Sequence, residues 1–199
     1  MKIIKVKDKH EYDVKLKDCS IKIGGKNGKF VPNINMSRWY DEAWLNMNAS
    51  DTIVGNEVEE FDGDNLEIKV GSVNHKYSIG IEDFLTYEII FEERSDKYKI
   101  EFAMNFPDGL DFWYQPALTQ EEIDNGAEMP ENVKGSYAVY WKKRNNQYKM
   151  GKFCHIYRPR LFDANGSWKW AKLEFVNKKL TYIMNKNWLD NAVYPVYVR

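Results

Sequence analysis

Three histidines, two cysteines and 30 acidic residues are the side chains of this 199-residue chain that can do acid–base, nucleophilic or metal chemistry. His10, His75 and His155 lie far apart, two of them in strand patterns beside lysines or aromatics, and read as structural histidines. Cys19 and Cys154 form no Cys-x-x-Cys and have no histidine at ligand spacing, so a structural zinc is not expected. They read as reduced, buried thiols, because spacing alone cannot show that their Cβ atoms meet. No Gly-x-Ser-x-Gly is present, which leaves a nucleophile elbow without a candidate.

Two further patterns resemble ligand loops without meeting their requirements. Gly24-Gly25-Lys26-Asn27-Gly28-Lys29 lacks the spacing of a phosphate loop and the hydroxyl residue after its lysine, and reads as a hairpin turn. Asp62, Asp64 and Asn65 crowd a turn after Glu59-Glu60, and oxygen-rich loops can hold calcium. The EF-hand spacing is absent, and Asp-Gly turns form for conformational reasons of their own. Glu92-Glu93 and Glu121-Glu122 read as solvated charges rather than as a hydrolase pair, which needs two carboxylates facing each other from different elements. The expectation is a chain with no catalytic residue, no metal ligand and no cofactor.

Aromatic residues are the remaining group with chemical potential: 13 Tyr, 10 Phe and 7 Trp. Trp39, Tyr40 and Trp44 lie in a stretch without clear periodicity, Phe112, Trp113 and Tyr114 follow Pro107-Asp108-Gly109, and Trp168 and Trp170 flank a turn. These eight are the candidate ligand or interface residues. Flat rings beside Asn, Asp and Gln suit sugar faces. The competing reading is that they fill the core and ends of a sandwich, since Trp and Tyr bury large area while keeping a polar handle.

The elements that must position them are strands. Tyr98, Ile100, Phe102, Met104 and Phe106 fall on one face of a two-residue period, with Lys97, Lys99, Glu101 and Asn105 on the other. Leu85, Tyr87, Ile89 and Phe91 repeat the pattern upstream, and the polar Glu93–Asp96 between the two sets predicts a hairpin. Further alternating sets are Leu66/Ile68/Val70, Tyr137/Val139/Trp141, Phe153/His155/Tyr157, Leu180/Tyr182/Met184 and Tyr194/Val196/Val198. Trp168 and Trp170 have the opposite parity to Leu173 and Phe175, which predicts a β-bulge near Ala171 bringing all four to the core. Asp163–Gly166 reads as a turn, and Pro159 marks an edge or a break. Thr119-Gln120-Glu121-Glu122 predicts a capped short helix, and Lys186–Asn191 a helical turn. About ten strands point to one all-β domain spanning 1–199: an antiparallel β-sandwich, jelly-roll-like, with long loops at 24–63 and 107–134, one or two short helices and an irregular N-terminal stretch at about 20–60. A closed barrel is the alternative.

Composition limits the partners. A formal net charge of −1, with arginines that are few and dispersed along the sequence, offers no field for nucleic acid. No run reaches the roughly 20 apolar residues of a membrane span, and no apolar segment of secretory length follows Met1. The expectation is synthesis in a host cytoplasm without a signal peptide.

Several stretches are more particular than composition. They are Phe30-Val31-Pro32-Asn33-Ile34-Asn35 running on to Trp39 and Glu42-Ala43-Trp44-Leu45-Asn46, Phe112-Trp113-Tyr114-Gln115-Pro116, and Gly135-Ser136-Tyr137-Ala138-Val139-Tyr140. Gly151-Lys152-Phe153-Cys154-His155-Ile156-Tyr157-Arg158-Pro159 and Trp188-Leu189-Asp190-Asn191-Ala192-Val193-Tyr194-Pro195-Val196 complete the set. From about residue 30 onward the chain resembles an uncharacterised family of proteins encoded by bacteriophages, prophages and environmental viral genomes. Its Trp-Leu and Tyr-Pro-Val close is similar to strand-rich modules of bacterial surface and Rhs-like proteins. The resemblance implies a virion or extracellular-surface setting and a β-sandwich module, and implies no catalytic residue. The expected function is therefore a non-enzymatic structural or adhesion component of a phage particle, whose partners are sister subunits or other virion proteins. A carbohydrate- or receptor-binding module, with a surface glycan as partner, and a hydrolase acting on polysaccharide or cell wall are the alternatives.

Overall fold

A computed structural model describes residues 3–6, 11–16, 18–24, 30–49, 57–80, 85–144 and 150–199. Among them the chain is an all-β sandwich of antiparallel strands with two short helices. One sheet has eight strands, in the order β1 (Ile3–Lys5), β2 (Glu11–Lys15), β3 (Cys19–Gly24), β4 (Ile34–Arg38), β5 (Ala43–Ala49), β10 (Lys99–Asn105), β17 (Lys179–Ile183) and β16 (Lys172–Val176). The other has seven: β15 (Trp168–Trp170), β14 (Arg160–Phe162), β18 (Val196–Val198), β9 (Leu85–Phe91), β8 (Val73–Ile79), β7 (Asn65–Val70) and β6 (Glu57–Phe61). A third sheet of three strands, β11 (Leu110–Tyr114), β12 (Tyr137–Trp141) and β13 (Lys152–Ile156), adds Leu110, Val139, Trp141 and Phe153 to the core.

Alternation along each strand decides which side chains meet between the sheets. Ile68 and Leu66 of β7 face Tyr12, Val14, Ile21 and Ile23 of the larger sheet in one apolar cluster. Phe102, Met104 and Leu180 face Ile89, Phe91, Leu161, Val196 and Val198 in a second, which the third sheet and Leu189 complete. Met36, Met47 and Tyr87 pack against both clusters and join them. A file of rings runs through this junction: Tyr77 stacks on Tyr87 at 4.6 Å, Tyr87 meets Phe102 at 6.3 Å, and Phe102 meets Tyr182 at 5.2 Å.

The short helices stand where their caps place them. Thr119 accepts from the Glu122 backbone N–H while the Glu122 carboxylate accepts from the Thr119 N–H, starting α1 (Gln120–Asp124). The Asn185 side chain accepts from the Trp188 N–H at the head of α2 (Lys186–Asn191).

Four expectations are corrected. The stretch at about 20–60 carries β3, β4 and β5, paired in continuous register, and the start of β6; the alternation of Ile34/Met36 and Leu45/Met47 with Asn and Ser is short, and the turn at 39–42 interrupts it. The segment 107–134 likewise contains β11 and α1. β9 and β10 form no hairpin: β9 pairs with β8 and β18, whereas β10 pairs with β5 and β17 in the opposite sheet. A polar turn shows where the chain reverses, not which sheet it enters next. The parity change at Ala171 is not a bulge that brings all four side chains inward. There the chain leaves the seven-stranded sheet after β15 and enters the eight-stranded one as β16, so Leu173 points in while Trp168 and Trp170 point out. A bulge does occur, between Val139 and Tyr140 where β12 pairs with β13. The glycine-rich stretch 25–29 and His10 lie outside the described residues.

Ionisable groups in the core are held neutral by burial. It raises the Tyr77 and Tyr87 hydroxyls well above their ordinary value and Tyr182 to about 12. His75 is 4% exposed, and burial lowers it to about 4. Its Nδ1 shares a hydrogen bond with the Tyr87 hydroxyl at 2.8 Å, and its Nε2 has no partner among the described residues. Because the folded value lies below the unfolded one, near 6.5, the neutral imidazole contributes full stability above pH 6.5 and loses it as pH falls towards 4. Denaturant titrations at pH 7 and pH 4 should differ by about 3 kcal/mol from this residue, and His75→Gln should shrink that difference.

Candidate functional site

The eight aromatic candidates separate into three places. Trp39 and Tyr40 form the tip of the β4–β5 hairpin, closed by the Glu42 N–H donating to the Trp39 carbonyl at 3.2 Å. Trp44 lies on β5 opposite Ser37. Phe112, Trp113 and Tyr114 are on β11, and Trp168 and Trp170 are on the edge strand β15.

The hairpin tip is strained and clamped. Trp39, Tyr40 and Asp41 have φ of 55°, 56° and 66°, a left-handed run without a glycine. Two guanidiniums lie over the Trp39 ring, Arg38 at 5.1 Å and Arg144 at 5.2 Å, and the ring meets Phe153 edge to face. Arg144 donates to the Glu42 carboxylate, whose other oxygen accepts from Trp141 Nε1 at 2.9 Å. These bonds, Arg144 foremost, hold the Glu42 carboxyl below its usual range. Arg38 donates to the Lys152 and Phe153 carbonyls and so ties β4 to β13. Tyr40, the residue between the clamped ones, has a fully exposed side chain.

β11 splits its candidates by parity. Phe112 faces inward and stacks on Phe175 at 4.3 Å, so it is a packing residue. Trp113 faces outward, 56% exposed, in a cross-strand row with Ala138 and His155. Tyr114 is 54% exposed and leans on Tyr137.

Beyond Tyr114 a chain of contacts leads to β15. Gly135 sits between the Tyr114 hydroxyl and Arg158: a Cβ there would come within 3.3 Å of Arg158 Cδ and 3.9 Å of the hydroxyl. Arg158 lies 4.3 Å from the Trp170 ring centre and donates to the Glu131 carbonyl and carboxylate. Arg160 lies over Phe162 at 4.3 Å and within 5.5 Å of both Trp168 and Trp170. Arg199 stands opposite Arg160 through a pair of backbone hydrogen bonds and reaches Phe162 at 5.5 Å. The arginines dispersed in the sequence therefore do cluster in space, Arg38 with Arg144 and Arg158 with Arg160 and Arg199. Sequence reasoning missed them; the available signal was Arg158-Pro159-Arg160, two arginines at strand period two beside Trp168 and Trp170 across a turn.

Ser136, His155 and Asp62 are each held by local hydrogen bonds. Ser136 and His155 lie 2.6 Å apart in the arrangement of a nucleophile and its base. Ser136 Oγ also lies 2.5 Å from the Val133 carbonyl, which can only accept, so the serine donates there and receives the His155 Nε2 proton. A histidine bonded in that sense cannot deprotonate this serine. Burial, with the Lys152 charge second, lowers His155 to about 4, and its ring stacks on Tyr157 at 4.4 Å. Asp62 spends Oδ1 on the Asp64 and Asn65 N–H groups and Oδ2 on the Asn65 amide, closing its own turn. Among the described residues no three His, Cys, Asp or Glu side chains gather as a metal site, and no helix is long and apolar enough to cross a membrane. Comparison of the chain with protein-family models, with curated proteins and with solved structures finds no match.

Cys19 and Cys154 are both free, half-buried thiols. Burial raises Cys19 to about 11 and Cys154 to about 12, Cys154 feeling Cys19 as its second cause. The folded protein at pH 7.5 should react with an aromatic disulfide reagent at least about tenfold more slowly than free cysteine, and both thiols should react fully in denaturant. At the hairpin tip, Tyr40→Gly should raise stability by up to about 1 kcal/mol, read from the denaturation midpoint, because glycine takes the left-handed conformation without the Cβ penalty.

Proposed function

We propose that this protein is a non-enzymatic structural or adhesion component of a phage particle, acting through contact surfaces towards sister subunits or other virion proteins. The observation that supports this most is Tyr40. Three consecutive left-handed residues cost free energy, and strain of this kind persists where surrounding contacts over-determine it and function uses it. Here Arg38, Arg144, Glu42 and Trp141 fix the turn, and what the turn presents to solvent is a whole tyrosine side chain. A rigid, amphipathic ring held clear of the surface is the kind of anchor that concentrates binding energy at an interface. The phage setting follows from the resemblance of the Phe30–Asn35, Phe112–Pro116, Gly151–Pro159 and Trp188–Val196 stretches.

A second reading, a glycan-binding module, is favoured by a different feature: the exposed Trp168 beside Arg160 on the outer face of β14 and β15.

Sedimentation velocity across a wide concentration range tests the first reading. The wild-type chain should associate, and Tyr40→Ala should shift association to at least about tenfold higher concentration with an unchanged or raised unfolding midpoint. A wild-type chain that stays monomeric throughout, or a Tyr40→Ala variant that associates as the wild type does, would remove self-assembly through this turn.

A further inference from the structure

We propose that the outer face of β14, β15 and β18 binds an acidic polysaccharide, with the guanidiniums of Arg160 and Arg199 taking its carboxylates and Trp168 stacking on a sugar ring. This rests on the glycan-binding reading and names its ligand class.

The face is built by alternation. Leu161, Val196 and Val198 point into the core, so Arg160, Phe162, Tyr197 and Arg199 point out. β15 adds Trp170 opposite Arg160 and Trp168 opposite Phe162. The two tryptophans meet edge to face at 6.0 Å, and Trp168 is 52% exposed at the open edge of the sheet.

The strands β14, β15 and β18 carry no acidic residue. Among the described residues neither Arg160 nor Arg199 forms an ion pair; Arg158 alone of the three is matched, by Glu131. The nearby Asp163 is spent on the Asn165, Ser167 and Val193 N–H groups that hold its turn. A guanidinium lying against a ring keeps its in-plane N–H fork free, and the ring fixes the fork before any ligand arrives. Arg160 lies against three rings at once. Pre-organised forks without a counter-charge are complementary to carboxylates, which they can bind bidentately.

The ligand is a polymer of sugars for two reasons. The surface is an open sheet face that a chain can lie across, rather than a pocket that encloses a small molecule. It also offers an exposed indole beside the two forks, a stacking surface next to charge. Nucleic acid fits less well. Its affinity comes from many cations matched to phosphates and from successive open ring faces, whereas here Phe162 and Trp170 are already covered by arginine.

Isothermal titration of the full chain with oligogalacturonate, with its neutral methyl ester and with oligothymidylate tests the proposal. Oligogalacturonate should bind, the methyl ester at least about tenfold more weakly, and oligothymidylate more weakly still. Arg160→Gln should lose at least about tenfold in affinity for oligogalacturonate, and Arg160→Lys should recover only part of it, since lysine keeps the charge but not the fork. Thermal melts verify folding, and Arg199→Gln gives a second reading of the same face should Arg160 variants unfold. Equal binding of the acid and its ester overturns the acidic ligand while keeping the glycan reading. Binding of neither overturns both. Tightest binding to oligothymidylate, or wild-type affinity in folded Arg160→Gln and Arg199→Gln, overturns the proposal.

Discussion

The contact between Tyr87 and Phe102 is where the two sheets are joined. These residues belong to consecutive strands, yet β9 lies in one sheet and β10 in the other, and their rings meet across the interior. Tyr77, stacked on Tyr87, extends the contact towards the Tyr12–Ile23 cluster, and Tyr182 extends it towards the other end. Burying rings from both sheets against one another makes a single interior of two apolar clusters. The hydroxyls and the imidazole in that file are uncharged there because the interior penalises charge.

Both histidines within the described residues are held down to about 4, and the Ser136–His155 pair runs its proton in the unproductive direction. What the surface offers instead is aromatic area organised by arginine. The same device appears twice: Arg38 and Arg144 clamp Trp39 beneath a presented tyrosine, and Arg158 and Arg160 flank Trp170 beside an exposed Trp168. In the first the guanidinium of Arg144 is consumed by Glu42, so the ring is the contact. In the second the guanidinium of Arg160 has no carboxylate partner among the described residues, so charge and ring act together.

Much of this was legible in the residues. Period-two alternation located β7, β9, β10, β12, β17 and β18, and cap chemistry located α1, because each depends on neighbours a few positions away. Sheet membership was not legible. Glu93–Asp96 is an ordinary polar turn whether the chain returns to its own sheet or crosses to the other. The parity flip at Ala171 looks alike for a bulge and for a sheet switch. For the same reason the eight aromatic candidates were recognisable as a set, while their division into packing residues such as Phe112 and exposed ones such as Tyr40, Trp113 and Trp168 was not.

The sequence by itself determined an all-β chain with alternating strands and the capped start of α1, because propensity, alternation and capping are local interactions. Only the tertiary structure decided which strands share a sheet, which arginines meet which rings and which way the Ser136–His155 proton points. Those outcomes depend on residues as distant as Arg160 and Arg199, or Glu42 and Trp141, being brought together by burial of the whole core, and no local pattern encodes that encounter.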